Sequence, residues 1–269
     1  MNRRAFFCRL TCVLFATLIG LGFAHAQVAS TQPAEVPVAK LRVGIPGNVF
    51  ATLEKNEPSG IFIEAVTALF KQRGVALSYL SMPTGEALKE VRKGTLSMAT
   101  VVVPTASLRD SVFLSEPVIT EYNVVMTLRD KGFDLSSLAD LKGKNIGARA
   151  GYHYPLLEND STLKITRYQS DGEMIRALLL GQSDVAIIAG VSDIYAFRAE
   201  GIMSRLEILK TAVGTVPFAV AFSKKSFRAE DVARFNEDLA AFKQSAEWQA
   251  ILDRNGLADL VRTWPLLSN

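Results

Sequence analysis

The chain has 269 residues, of which 30 are basic and 27 acidic, with two cysteines and two histidines. Three arginines, both cysteines and one histidine fall within residues 1–26, so the rest of the chain has 27 basic and 27 acidic residues, no cysteine and one histidine. This balance gives no reason to expect nucleic acid as a partner, and a single histidine excludes a site built from several.

Residues 1–26 have the pattern of a secretory signal peptide. Arg3 and Arg4 precede a largely apolar stretch at 10–23, and Ala24-His25-Ala26 has the small-x-small form of a cleavage site. The apolar stretch is shorter than the ~20 residues of a membrane-spanning helix. We therefore expect export through a cleaved signal, by the general secretory or the twin-arginine route, with no membrane insertion afterwards.

Residues 27–39 are rich in proline and alanine without an apolar period, which predicts a flexible leader. Alternating strands and helices follow it. Apolar spacing, β-branched runs and glycine stops predict a strand at 41–45, a helix at 63–70, a strand at 75–80, a helix at 86–92, and strands at 96–103 and 122–128.

The second half of the chain repeats this order. The same signals predict strands at 145–149 and 164–168, a helix at 173–180, a strand at 184–188, a helix at 191–200, a returning strand at 216–222 and amphipathic helices in the tail. Strands that alternate with helices indicate an α/β fold whose parallel sheets are covered on both faces.

One short helical pattern occurs twice, 87 residues apart. It runs from Gly85 to Gly94 and from Gly172 to Gly181, with the glycines nine positions apart in both copies, and Ser170 precedes the second copy as a candidate helix cap. Each copy leads into a predicted strand. Two similar halves in one secreted chain favour two lobes with a cleft between them, which is where ligands usually bind.

Short segments in a fixed order carry a family resemblance: residues 41–44, 94–99, 113–117, 138–147, 181–186, 217–221 and 245–256. With them the chain resembles the polar amino-acid class of bacterial periplasmic solute-binding proteins, family 3, from residue 41 to about 257. The resemblance implies an α/β, two-lobed type II periplasmic binding protein fold, with two doubly wound sheets joined by two crossover strands.

The lobe boundaries follow from the same resemblance. Lobe 1 is expected at residues 40–120 and 218–269, and lobe 2, inserted into it, at 121–217. The two crossover strands near Tyr122 and Pro217 would form the hinge that closes on the ligand.

In lobe 1 the resemblance implies a carboxylate-binding arginine at Arg109, whose forked guanidinium matches a carboxylate. Thr105 and Ser107 lie near it in sequence, and Phe50 takes the place of an aromatic residue that stacks on the ligand. Two alternatives stay open at this stage. Arg109, next to Asp110, is also consistent with a solvated loop residue, and Phe50 with a residue of the core.

In lobe 2 the resemblance implies ligand contacts at Gly151, Tyr152, His153 and Tyr154, where the family opens a helix with glycine and small hydroxyl residues. Free backbone N–H groups at such a position attract anions, and the rings are suited to stacking or hydrogen bonding. Tyr154 is equally consistent with the start of a packed helix. Tyr122, at the hinge, either faces the cleft or packs.

One departure from the family bears on the ligand. The aspartate that pairs with the ligand's ammonium in amino-acid binders is replaced here by Ala189. An ammonium buried without a carboxylate is costly, so a free α-amino acid is disfavoured and a carboxylate-bearing or other small polar solute is favoured. Asp193, four residues later, is the candidate to replace the missing carboxylate, and helix capping is its alternative role.

The resemblance implies a non-catalytic periplasmic binding protein, a monomer without metal or cofactor, that delivers its solute to an inner-membrane ABC permease. Two alternatives are kept. A periplasmic dehydratase of prephenate-like substrates needs a general acid, for which His153 and Glu64 are the candidates. A sensory or accessory binding protein would act without a transporter.

Overall fold

The structure, a computed structural model, describes residues 40–152, 154–261 and 266. The predicted signal peptide and leader lie outside the described residues, and so does His153. Within the described part of the chain, no helix has both the length and the apolar character needed to cross a membrane.

Strands and helices alternate along the described chain. The first half contains β1 (Lys40–Ile45), β2 (Thr52–Glu54), β3 (Glu57–Ser59), α1 (Ile61–Lys71), β4 (Ala76–Ser81), α2 (Thr84–Lys93), β5 (Met98–Val102), α3 (Ala106–Arg109), β6 (Phe113–Leu114) and β7 (Ile119–Leu128). The second half contains β8 (Asn145–Arg149), α4 (Pro155–Glu158), β9 (Lys164–Tyr168), α5 (Asp171–Leu179), β10 (Val185–Ala189), α6 (Ser192–Ala199), β11 (Leu206–Phe222), α7 (Ala229–Phe242) and α8 (Ala246–Arg254).

The predicted elements are present in both halves, and most of their ends agree within three residues. The predicted cap at Ser170 is confirmed, since its hydroxyl oxygen accepts a hydrogen bond of 3.1 Å from the backbone N–H of Glu173. The largest difference concerns β11, which begins at Leu206 rather than at residue 216. The short hairpin of β2 and β3 was not predicted.

Nine strands form one sheet in the order β4-β1-β5-β11-β7-β10-β8-β9, with β6 also paired to β11. The pairs of β1 with β4 and β5, and of β8 with β9 and β10, are parallel. Strand β7 pairs antiparallel with β11 from Ile119 opposite Phe218 to Leu128 opposite Leu206. The two predicted sheets are therefore continuous, because the crossover strands pair with each other.

Apolar side chains cover both faces of this sheet. Ile187 and Ile188 are consecutive in β10 and belong to different clusters of buried side chains, as the two-residue period of a strand requires. The cluster that contains Ile188 also contains Met174 of α5 and Phe197 of α6. The cluster that contains Ile187 includes Leu157 of α4. Helices therefore lie on both faces, as predicted for a doubly wound sheet.

Gly60 determines how the chain enters α1. It has φ 107° and ψ 157°, a region that is essentially restricted to glycine. A Cβ atom at this position would lie 2.6 Å from the backbone oxygen of Phe50. That oxygen accepts a hydrogen bond of 3.0 Å from the N–H of Phe62, so it is fixed in place.

We expect Gly60→Ala to lower the free energy of unfolding by roughly 2–4 kcal/mol, because it adds backbone strain and a clash with a backbone atom. Gly85→Ala is the matched control: Gly85 lies in α2 and its Cβ position is open, so this change should be neutral or stabilising by up to ~1 kcal/mol. Urea denaturation measures both values. Equal stabilities for the two variants would contradict the described entry to α1.

Candidate functional site

The ends of three strands bring polar residues together at one edge of the second half of the sheet. Strands β8 and β10 are parallel, so their carboxyl ends, Arg149 and Ala189, lie at the same edge. Strand β7 is antiparallel to β10 and begins at that edge, with Asn123 opposite Ala189. Glu121, two residues before Asn123, therefore lies beside the end of β10. Crevices at the carboxyl ends of sheet strands are common ligand sites in α/β proteins.

Glu121 holds the start of α6. Its Oε1 accepts hydrogen bonds from the backbone N–H of Val191 (3.3 Å), the N–H of Ser192 (2.7 Å) and the Ser192 hydroxyl (2.7 Å). A carboxylate at a helix N-terminus satisfies free N–H groups and interacts favourably with the helix dipole. These contacts fix the position from which α6 begins.

The fixed start of α6 places Asp193 at the end of β10. The side chain of Asp193 is 7% exposed, and its Oδ2 accepts a hydrogen bond of 2.8 Å from the N–H of Ala189. A carboxyl group from four residues later therefore lies against the backbone of Ala189, the residue at which the aspartate was expected. Its contact with a ligand stays a prediction.

Both of these carboxyl groups have raised pKa values. Burial raises the pKa of Asp193 to about 7, the negative charges of Asp171 and Glu121 add to the shift, and the Ala189 N–H and Arg149 oppose it. Burial also raises the pKa of Glu121, against the hydrogen bonds from Ser192 and Val191. Loss of hydration disfavours the charged form of a carboxyl group. At this edge a carboxyl group is therefore poised to change its charge near neutral pH.

Arg149 and Asp171 form an ion pair beside Asp193, with 3.0 Å between Nε and Oδ1. Neither atom has a hydrogen-bond partner of acceptable geometry, although both are buried. Burial and the charges of Asp193, Asp171 and Glu121 raise the pKa of Tyr152. We call Glu121, Arg149, Tyr152, Asp171 and Asp193 the strand-edge group.

A groove of about 470 Å³ opens at the strand-edge group and runs between α5 and α6. Arg149, Asp171 and Asp193 line one end. The remainder of its lining consists of side chains from both helices and from the segment that follows α6: Ser170, Gly172, Ile175, Arg176, Leu179, Ala196, Phe197, Glu200 and Ile202. The groove therefore meets charged side chains at the strand-edge group, and its helical walls combine apolar side chains with Arg176 and Glu200.

The predicted aromatic segment lies beside this group but its rings differ in exposure. Gly151 has φ 81°, is exposed, and turns the chain after β8. Tyr152 is 48% exposed, whereas Tyr154 is 1% exposed and packs in the core with Leu157. Arg167, which was not predicted, holds the segment by donating a hydrogen bond of 2.8 Å to the backbone oxygen of Tyr152.

Two other predicted aromatic contacts lie in or against the hydrophobic core. Phe50 is 2% exposed and its ring lies 5.2 Å from that of Phe218 and 6.4 Å from that of Phe62. Tyr122 is half-buried against the same cluster, and its backbone oxygen accepts a 2.7 Å hydrogen bond from Gly190. For both residues ligand contact stays a prediction.

The structure does not bring Arg109 into the strand-edge group. Arg109 is exposed and lines a separate shallow hollow with Val232 and Asn236 of α7. Its backbone oxygen accepts a 3.2 Å hydrogen bond from Lys224. Thr105 and Ser107 are also exposed, and their hydroxyl groups lie 3.1 Å apart. The roles of these three residues in ligand binding stay predictions.

Three members of the strand-edge group were not predicted as site residues: Glu121, Arg149 and Asp171. Glu121 is the one charged residue of β7, and Arg149 is the last residue of β8. Both positions are signals that the sequence offers. Asp171 has no such signal, since acidic residues are common in the first turn of a helix. Among the described residues no cluster of three or more His, Cys, Asp and Glu side chains is suited to a metal ion.

Comparison with protein families matches residues 41–257 to the bacterial extracellular solute-binding proteins, family 3. The match spans most of the sequence, and the chain belongs to this family. Among curated proteins none matches the sequence.

Similar solved structures agree with this assignment. A polar amino acid ABC uptake transporter substrate binding protein from Streptococcus thermophilus has a TM-score of 0.65 at 20% identity, covering 83% of this chain and 88% of that chain. An ABC uptake transporter substrate binding protein from Streptococcus pneumoniae with bound histidine has a TM-score of 0.59 at 22% identity, covering 83% and 95%. A histidine kinase sensor domain with similarity to periplasmic binding proteins has a TM-score of 0.58 at 19% identity, covering 80% and 95%.

The sequences of these structures are less than 25% identical to this chain, and the structural similarity establishes the fold. The predicted α/β, two-lobed periplasmic binding protein fold is confirmed, and so is the resemblance to a divergent family 3 member. The family is one of extracellular solute-binding proteins.

We expect Asp193→Asn to remove part of the pH dependence of stability. A carboxyl group whose pKa is higher in the folded state destabilises the fold as pH rises from about 4 to about 7. The amide oxygen of asparagine still accepts from the Ala189 N–H but cannot ionise. The difference in the free energy of unfolding between the variant and the wild type should therefore shift in favour of the variant by on the order of 2–4 kcal/mol from pH 4 to pH 8.

Urea denaturation at the two pH values measures this difference. Asp253→Asn, an exposed change on α8, is the control and should keep the wild-type profile. Parallel pH profiles for Asp193→Asn and wild type would show that Asp193 ionises normally in the folded protein.

Proposed function

We propose that the protein captures a small polar solute, amino acid-like or an organic acid, between two lobes in the periplasm and delivers it to an ABC importer. Membership of family 3 supports solute binding, and two of the similar structures are ABC uptake transporter substrate binding proteins. Residues 40–120 and 218–269 are proposed as lobe 1, and residues 121–217 as lobe 2. Residues 1–26 are proposed as the export signal.

The position of Asp193 carries this proposal. Its carboxyl group is held at the end of β10 by the Ala189 N–H, close to the exposed ring of Tyr152. A buried carboxyl group with a pKa near 7 gains stability when a ligand offers it a cation or a hydrogen-bond donor. The strand-edge group therefore has the chemistry to recognise a polar solute, including one that carries an amino group.

In this proposal the two shared strands serve as the hinge on which the lobes close. The long strands β7 and β11 run through both halves of the sheet, so a small change in their twist moves one half relative to the other. A solute that contacts both halves stabilises the closed state by its higher affinity for that state. Phe50, Thr105, Ser107 and Arg109 are the proposed contacts from lobe 1.

A sensory role without a transporter is the second candidate. The observation that favours it is the similarity to a histidine kinase sensor domain over 80% of this chain. In this role the closed protein would dock on a receptor rather than on a permease. Binding at the strand-edge group is common to both candidates.

A thermal-shift screen tests solute binding. Amino acids, organic acids and aromatic acids, prephenate among them, are added to the purified protein, and we expect at least one to raise the melting temperature and to be recovered unchanged. Asp193→Ala should abolish the shift, and Asp253→Asn should retain it. Turnover of prephenate would instead support the dehydratase. The absence of any shift across the screen would contradict solute capture.

Arg109 has a test of its own. If Arg109 clamps a carboxylate, Arg109→Ala should lower the affinity for organic acids, measured from the dose dependence of the thermal shift, at least threefold. The melting temperature without solute should change little, since the side chain is exposed. An unchanged affinity would remove Arg109 from the site and assign recognition to the strand-edge group.

A further inference from the structure

We propose that the solute is an amphipathic amine, whose cationic head lies against Asp193 and whose non-polar tail lies in the groove between α5 and α6. This inference rests on the proposed function, because it names the class of solute that the same site takes. It is carried by the shape of the groove, the charge at one end and the apolar side chains along its walls.

The groove has the size of a small-molecule site. Its volume of about 470 Å³ lies in the usual range for such pockets. Helix α5 has nine residues, which at 1.5 Å per residue gives the groove walls a length of about 13 Å. Asp193 and Arg149 belong both to the strand-edge group and to the groove. A solute bound at the strand edge can therefore extend between the helices.

The charge at the head of the groove favours a cation. The guanidinium of Arg149 is 3.0 Å from Asp171 and balances its charge. Asp193 and Glu200 also line the groove, against one further guanidinium, that of Arg176, so the lining has three carboxyl groups and two basic groups. An anionic head placed against Asp193 would meet a group of like charge, whereas an ammonium there offsets the excess carboxyl group.

The walls of the groove favour a non-polar tail. Ile175 and Leu179 are four residues apart in α5, so they lie on one face of the helix. Phe197 contributes from α6, and Ile202 lies beyond its end. Ile175 and Phe197 belong to the large buried cluster and present only a small part of their surface. Each methylene group buried against such walls should tighten binding roughly fourfold.

Calorimetric titration with simple amines tests the inference. The probes are ethylamine, n-butylamine and n-hexylamine, with 1-hexanol and hexanoate as controls that keep the tail and change the head. We expect the dissociation constant to fall by at least tenfold from ethylamine to n-butylamine and again to n-hexylamine. Hexanol and hexanoate should bind at least tenfold more weakly than n-hexylamine.

A pair of variants on α6 tests where the tail lies. Ala196 is exposed and lines the groove, whereas Ala199 is exposed on the same helix and does not line it. Ala196→Trp fills the groove and should weaken n-hexylamine binding at least tenfold, with ethylamine within twofold of wild type. Ala199→Trp should leave both values unchanged. Melting curves without ligand show that both variants are folded.

Several outcomes would overturn the inference. These are a dissociation constant that does not depend on tail length, stronger binding of hexanoate than of n-hexylamine, or equal effects of Ala196→Trp and Ala199→Trp. If a short polar solute binds through Asp193 while Ala196→Trp has no effect, the proposed function stands and this inference fails. If no solute and no amine binds, both fail.

Discussion

Antiparallel pairing of β7 with β11 joins the two halves of the sheet. These strands are the only direct route, within the sheet of described residues, from β5 in the first half to β10 in the second half. Strand β7 also pairs with β10 and begins where β10 ends, so Glu121 lies beside the start of α6. The position of the site is therefore a consequence of the same strands that join the two halves.

The strand-edge group illustrates how a chain can place a carboxyl group without the usual residue. Ala189 ends β10 with a free N–H, and Asp193 reaches back from the first turn of α6 to accept from it. The arrangement requires that α6 begin at a fixed place, and Glu121 ensures this with three hydrogen bonds to Val191 and Ser192. The cost is the burial of two carboxyl groups, which raises the pKa of each. A ligand that relieves this cost gains affinity from it.

The sequence predicts the parts of the fold that depend on local signals. Glycines nine residues apart and the cap at Ser170 identify α5 because both features act within one helix. The full length of β11 is not predictable in this way, since exposed residues such as Lys210 interrupt its apolar pattern and only the pairing with β7 shows its extent. The β2–β3 hairpin also escapes prediction, because its turn uses Lys55 at φ 50°, a residue that does not favour this conformation.

The residues of the candidate site also divide into those that local sequence signals indicate and those that only long-range pairing brings together. Tyr152 and Asp193 were predicted from the family resemblance, through their positions next to Gly151 and four residues after Ala189, both of which are local. Arg149 and Asp171 are brought together only by the parallel pairing of β8 and β9 and by the start of α5. A residue-by-residue resemblance cannot locate such a pair when the family's own aspartate is absent.

The most direct test of the central claim is a carbon-13 NMR titration of the Asp193 carboxyl group, assigned by comparison with Asp193→Asn. We expect a midpoint near pH 7 in the free protein, which falls when a solute identified by thermal shift is bound. A midpoint near pH 4 that does not change with solute would contradict the claim that this carboxyl group is buried at the solute site.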